Sequence, residues 1–280
     1  MLELNGINVI QESERHGKPK SLFWPWMAGN VSLLALSYGS FFLGFGISFW
    51  QATLAAFIGT VGSFVLVGIS SLAGKRSNAP TMTLSRALFG VKGNVIPGFL
   101  SYLIFVGWET VLVSLATLAT GTVFTTFGHL NRNVAEILGF IFAAALTIFS
   151  GVLGFKVIMR IQRWLTIATM ALSLGYLVLT INKLNWSAIS SMKPGSFQGL
   201  IGAIIFGVTG IGLGWVNSAA DYSRYLPRNS SSSGVIGWTI FGASLVPILM
   251  VIYGAALSGS EKNLNGLIAN DPVGALTTLL

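Results

Sequence analysis

Seven continuous apolar stretches constrain this chain more than any other feature. They run approximately Trp24 to Phe45, Phe49 to Ala73, Val95 to Phe124, Val134 to Leu153, Trp164 to Ile181, Leu200 to Ala219 and Val235 to Leu257. Each is near or above the ~20 residues that a helix, rising about 1.5 Å per residue, needs to cross a hydrocarbon core of about 30 Å. With 53% hydrophobic and 9% charged residues, the chain has too little polar material to clothe a soluble domain. The reading is an all-α, multi-pass membrane protein embedded in a lipid bilayer. A β-barrel is excluded because the runs are continuously apolar instead of alternating.

Residues 1–21 read as a polar tail and residues 22–280 as the membrane domain. The tail carries Glu12, Glu14, Arg15, Lys18 and Lys20 with no small-residue cleavage site, so it is not a removed signal peptide. Placing the N-terminus in the cytoplasm puts Arg15, Lys18, Lys20, Lys75, Arg76, Arg86, Lys92, Lys156, Arg160, Arg163, Arg224 and Arg228 inside. Arg132, Lys183, Lys193 and Lys262 are then outside, so 12 of the 16 basic residues obey the positive-inside rule. This is the expected topology of a cell-membrane protein, and the net charge of +8 needs no nucleic-acid partner to explain it. The absence of cysteine removes disulfides, thiolate metal sites and a Cys nucleophile, and His16 and His129 fall in the tail and a loop. An enzyme would have few groups to work with.

Polar interruptions mark where function would sit. In the first stretch, Pro25 is followed by Gly29, Asn30 and Ser32, a place where lipid would penalise unpaired backbone. In the sixth, Gly199, Gly202, Gly207, Gly210, Gly212 and Gly214 crowd a short span, which suits either close helix packing or an interrupted helix. Interrupted helices at corresponding places in two halves point to a substrate and ion site near the bilayer midplane. Within the third stretch Glu109 stands alone, with no other charge for more than a dozen residues on either side. Intramembrane acids are costly to keep, so Glu109 is either a substrate or proton group or a buried acid paired with a neighbouring helix.

Two strings carry a family resemblance. Asn217-Ser218-Ala219-Ala220-Asp221-Tyr222-Ser223-Arg224-Tyr225-Leu226-Pro227 follows the glycine-rich sixth stretch. Ser85-Arg86-Ala87-Leu88-Phe89-Gly90, Gly93-Asn94-Val95-Ile96-Pro97-Gly98 and Gly107-Trp108 follow the second. Together they resemble the nucleobase:cation symporter-1 family, in its purine and cytosine permease branch. The resemblance implies a LeuT-like fold of two inverted five-helix repeats, truncated here after about seven transmembrane helices. Asp271-Pro272-Val273-Gly274-Ala275-Leu276 then reads as the start of an eighth helix, and the chain as an N-terminal portion with an incomplete second repeat.

The implied function is secondary active import of a nucleobase or related planar nitrogenous ring, of cytosine, purine, allantoin or hydantoin type, coupled to sodium or a proton. The implied substrate residues are Ser32, Trp108, Glu109, Trp215 and Asn30. The implied cation ligands are the backbone oxygens of Ala28 and Val31, with sodium as the one metal ion and no other cofactor. Trp108 corresponds to a stacking platform. Four positions on, where the family reads the ring edge, this chain has Leu112, a departure that leaves Glu109 as the alternative reader. The second aromatic clamp falls on Gly212, so Trp215 reaches the site only if the helix unwinds; otherwise it is an interfacial anchor. An amino-acid symporter of the same fold and a channel-like membrane subunit are the alternatives.

Other polar residues take structural readings. Asp221, Arg224 and Arg228 suit a cytoplasmic loop network, and Glu136 suits the first turn of helix four after Asn131 and Asn133. Lys156, Arg160 and Arg163 read as a basic segment at the inner surface, and Ser230 to Ser233 as a flexible linker.

Overall fold

The computed structural model describes residues 5–153, 155–261 and 263–280, apart from the side chains of 150, 153, 155–160, 269 and 270. The side chains of Lys156 and Arg160, and Lys262 altogether, therefore lie outside the described residues. The chain is helical, with no strand among the described residues. Five of the seven apolar stretches form long helices or nearly so: α3 (Phe49–Ser77), α4 (Val95–Thr126), α5 (Arg132–Leu153), α6 (Phe155–Thr180) and, near the end, α9 (Ser232–Ser260). The first and sixth stretches are interrupted.

The first divides into α1 (Phe23–Ala28) and α2 (Leu34–Leu43). The last regular bond of α1 runs from the Val31 N–H to the Met27 carbonyl, 2.8 Å, and the next begin only at Ala35 and Leu36. Polar side chains hold the break open by taking the place of main-chain partners. Asn30 Nδ2 donates to the Trp26 carbonyl at 2.8 Å, and the Leu34 N–H donates to Ser32 Oγ at 3.1 Å. Among the described residues, the carbonyls of Ala28, Gly29, Asn30 and Val31 and the N–H groups of Ser32 and Leu33 have no hydrogen-bond partner.

The sixth stretch begins as α7 (Phe197–Gly207), widens into a π-helical turn over Val208–Gly212, tightens to 3-10 geometry over Leu213–Ser218 and resumes as α8 (Ala219–Ser223). Its glycines serve both purposes open from sequence. A Cβ at Gly207 would stand 3.2 Å from Gly59 Cα, so α7 and α3 pack backbone to backbone, whereas Gly210 and Gly212 lie in the unwound segment.

Helix α9 runs beside α1, α2 and α3. A Cβ on Gly254 would overlap the Leu36 carbonyl, and one on Gly39 would overlap the Ala255 amide. Helices α4 and α5 instead pair mainly with each other, Gly121 against Glu136 and Gly139 against Thr120. Glu136 is bonded to Arg132 Nε at 2.7 Å, and Asn131 Oδ1 caps the Asn133 N–H at 2.9 Å.

The segment after α9 forms α10 (Leu264–Asn270) and α11 (Pro272–Thr277). Asp271 caps α11 through the Gly274 N–H at 2.9 Å, so a helix starts where the sequence indicates. Within residues 272–277 it is a short docked piece: Leu276 is buried and its carbonyl accepts from the Tyr176 hydroxyl at 2.9 Å.

The tail is bound to the membrane domain. Arg15 is buried; it donates to the Leu226 carbonyl, to Asn78 Oδ1 and, at 2.5 Å, to the Lys75 carbonyl. Glu12 bridges Arg15 at 3.2 Å and Arg228 at 2.9 Å. The loop network expected around Asp221 exists with different partners. Asp221 accepts from the Thr81 N–H at 2.8 Å and hydroxyl at 3.0 Å, Arg224 donates to the Gly6 carbonyl at 2.8 Å, and Arg228 pairs with Glu12. Ser230 to Ser233 is not a slack linker. Ser231 caps α9 through the Gly234 N–H at 3.1 Å, and Lys75 Nζ holds Ser230 O at 2.8 Å and Ser232 Oγ at 2.9 Å, because a buried ammonium must find acceptors.

Candidate functional site

A cavity of about 390 Å³ lies where the two interrupted helices meet α4 and α9. The break after α1 contributes Ala28, Gly29, Asn30, Val31 and Ser32 to its wall, and α2 adds Leu34, Ala35 and Tyr38. Opposite, α4 presents Phe105, Trp108 and Leu112, positions three and seven apart that share one helical face. The unwound sixth stretch supplies Thr209, Gly210, Ile211, Gly214 and Trp215, and α9 supplies Pro247 and Val251.

Six of the seven sequence-derived candidates thus come together: Ala28, Asn30, Val31, Ser32, Trp108 and Trp215. Trp215 reaches the cavity because the π and 3-10 turns change the angular phase of the helix after Gly212. Its ring packs edge-on to Trp26, with centroids 6.0 Å apart, and a Cβ on Gly29 would stand 3.2 Å from its Cη2. Gly212, the position counted for the second clamp, packs against Ser63 of α3 instead. Trp108 closes on the same segment, its Nε1 being 3.8 Å from where a Cβ of Gly214 would be.

Glu109 is the exception. One residue further round α4 turns it about 100° away from Trp108, and it is exposed and outside the cavity wall. The expectation of a buried carboxyl beside the ring edge is not met in this geometry. Leu112, the apolar departure, does line the cavity, with a side chain without hydrogen-bonding capacity.

The cavity also contains residues the sequence reading passed over. Tyr38 donates to the Gly210 carbonyl at 3.4 Å and so ties α2 to the π turn. Thr209 and Pro247 were detectable in principle, as a hydroxyl within the glycine-rich span and a proline buried inside α9. Phe105 and Val251 gave no signal, being apolar residues in apolar helices.

Chemically, the site offers two indole side chains, Trp108 and Trp215, and the main-chain polarity of the broken first stretch. The free carbonyls of Ala28 to Val31 can accept from a ring N–H or approach a cation, and the N–H groups of Ser32 and Leu33 point from the start of α2.

Two broken helices facing one another across a cavity define a polytopic membrane protein of the LeuT-like, inverted-repeat type. The structure of Mhp1, a nucleobase-cation-symport-1 family transporter, in a closed conformation with bromovinylhydantoin bound superposes with a TM-score of 0.73 over 99% of this chain and 61% of that one. The inward-facing conformation of Mhp1 gives 0.74 over 99% and 63%. At 20% identity these likenesses concern the fold.

The profile of the permeases for cytosine/purines, uracil, thiamine and allantoin matches residues 9–276. YxlA of Bacillus subtilis (strain 168), provisionally named a purine-cytosine permease, is 30% identical over 262 residues, which are 92% of this chain and 55% of the relative. Purine-cytosine permease FCY22 of Saccharomyces cerevisiae is 27% identical over 280 residues, 93% of this chain and 49% of its own length. The chain therefore belongs to the family of permeases for cytosine/purines, uracil, thiamine and allantoin, and it spans about half the length of these relatives.

Proposed function

We propose that this chain carries the substrate cavity of a secondary transporter that imports a nucleobase or related planar nitrogenous ring by alternating access. The observation that carries this reading is the convergence of Trp108 and Trp215, from two different helices, on one cavity floored by a broken backbone. Stacking on indole suits any flat heterocycle, and main-chain donors and acceptors suit the edge of an amide-like ring. Coupling to sodium is supported by the free oxygens of Ala28 and Val31, two oxygen ligands of the kind a hard cation takes, to be completed by further oxygens. A proton is the alternative coupling ion. Asn30 and Ser32 take the polar rim of the substrate site, with Glu109 as a proton-handling candidate on the outer face of α4.

The N-terminus is placed in the cytoplasm. The distribution of basic residues supports this, since Arg15, Lys75, Arg224 and Arg228 gather at one end of the bundle with the tail.

Uptake of radiolabelled cytosine and hypoxanthine into proteoliposomes tests the function, under sodium, potassium and pH gradients with uracil, allantoin, hydantoin and leucine as competitors. Saturable, gradient-driven uptake displaced by the rings and not by leucine is expected. Unsaturable flux would indicate a channel, and displacement by leucine an amino-acid symporter.

A further inference from the structure

Resting on the reading just given, we infer that Ser101 and Asn217 are positioning residues: their hydrogen bond sets how the Trp108 face of α4 meets the unwound sixth stretch, and so how the two indoles are presented to a flat ring. Asn217 Nδ2 donates to Ser101 Oγ at 2.9 Å. The bond lies away from solvent, Ser101 being 5% exposed.

Ser101 stands on the cavity side of α4. Phe105 and Trp108, which line the cavity, follow it four and seven positions on, so the three share a helical face and Ser101 lies about 10.5 Å before Trp108 along the axis. Its bonding differs from that of hydroxyls further along the same helix. Thr110 and Ser114 donate to carbonyls four residues back, those of Val106 at 2.7 Å and Thr110 at 2.8 Å, as hydroxyls in an apolar helix commonly do. Ser101 Oγ instead takes a partner from a different stretch, 116 positions on.

Asn217 lies in the 3-10 segment Leu213–Ser218, just after Trp215. At three residues per turn, the two side chains leave that segment about 120° apart. Trp215 goes to Trp26 and Gly29 of the first stretch, and Asn217 goes to α4. The π and 3-10 turns have poorer hydrogen-bond geometry than an α-helix, so they hold their own rotation weakly. A bond at Asn217 fixes that rotation against α4, and with it the angle of Trp215. The same bond fixes α4 lengthwise, and with it Trp108, whose Nε1 lies 3.8 Å from the Cβ position of Gly214. The effect has a ceiling. A side-chain hydrogen bond between membrane helices changes an equilibrium by about 3-fold on average and about 20-fold at most.

Equilibrium binding of radiolabelled hypoxanthine to the purified protein in proteoliposomes tests this, in Ser101→Thr and Ser101→Val, each with and without Trp108→Ala. Thr and Val have the same shape and differ in the hydroxyl. Ser101→Val should bind about 3-fold to 20-fold more weakly than Ser101→Thr. That factor should shrink toward unity when Trp108 is Ala, because with one indole gone there is no relative placement left to set. A bond that only supports the fold would cost the same factor in both backgrounds. Asn217→Leu, which removes the bond from the other side at nearly equal volume, should lose binding by a similar factor relative to the parent and serves if Ser101→Val does not fold. Equal binding by the Thr and Val variants, parental binding by Asn217→Leu, or the same factor with and without Trp108 would overturn the inference while leaving ring transport intact. Failure of the parent to bind any base would instead overturn the transport reading, and the inference with it.

Discussion

Two parts of this molecule solve the problem of lying in a membrane differently. In α3 and α9, half of the most apolar 18-residue window is buried inside the protein, whereas in α4 and α5 the shares are 6% and 11%. The first pair, with the broken first and sixth stretches, is joined by backbone-to-backbone contacts at glycines. The second pair holds mostly to itself and presents its apolar surface outward. Lipid tails are as apolar as leucine, so burying a side chain gains little in a bilayer, and helix association rests on close packing through small residues. The glycine-joined part holds the breaks, and the outward-facing part contributes one aromatic face to the cavity between them.

The largest expected effect would break this comparison directly. Gly254→Leu must displace α2 from α9 and should cost about 3 kcal/mol or more, read as loss of the monodisperse peak in detergent. Gly107→Leu on α4, where a Cβ meets nothing within 4 Å, should cost no stability. Equal costs would mean that the two parts do not differ as described.

Next in size, Trp108→Ala should weaken base binding by on the order of 1–3 kcal/mol without a comparable loss of thermal stability, since the residue is 39% exposed. Binding equal to the parent would remove α4 from the site.

A finer cut concerns the break itself. Gly29→Leu raises helix propensity by about 0.8–1 kcal/mol and drives a side chain toward Trp215, so sodium-stimulated binding should fall while the protein still folds. Ala28→Ser should be mild, because the oxygen proposed to meet the cation belongs to the main chain. Full sodium stimulation in Gly29→Leu would defeat the ion site.

Glu109→Gln separates the two faces of α4: base affinity is expected to stay within about twofold. An altered pH dependence of uptake at unchanged affinity would assign the coupling proton to Glu109.

The smallest effect lies at the tail. The hydrogen bond from Asn78, together with Arg15 and Arg228, holds the Glu12 carboxyl below its ordinary value of 4.5. A lowered folded pKa means that the stabilisation is complete above the ordinary value and is lost as pH falls through the lowered one. Acid should therefore loosen residues 5–16 from Asn78 and Arg228, an effect kept small by the solvent exposure of Glu12. Protease sensitivity of the tail, measured against pH in the parent and in Glu12→Gln, reports it. A tail whose sensitivity in the parent does not change with pH would remove Glu12 from the latch.

Membrane residence, the seven spans, the positions of both breaks and the family were all legible in the residues, because each depends on local chemistry. A run of apolar residues, a Gly-Asn pair inside it or a glycine cluster states its preference without reference to the rest of the chain. Asn30 and Ser32 mark the first break as polar residues inside an apolar run, whereas Ala28 and Val31 were named through the family resemblance. The sequence could not say that Glu109 would face outward, since a helix that is apolar all round carries no phase from which to read its rotation.

Only the tertiary structure decided which tryptophan completes the cavity. Counting along a regular helix leads to Gly212, but the π and 3-10 turns reset the phase and bring Trp215 round to Gly29 and Trp26. It also decided that Arg15 would be buried and Asp221 bonded to Thr81, pairings that join residues 60 or more positions apart. Propensity and hydropathy act over a few neighbouring residues. The direction a side chain faces, and what it meets there, is set by how whole helices pack.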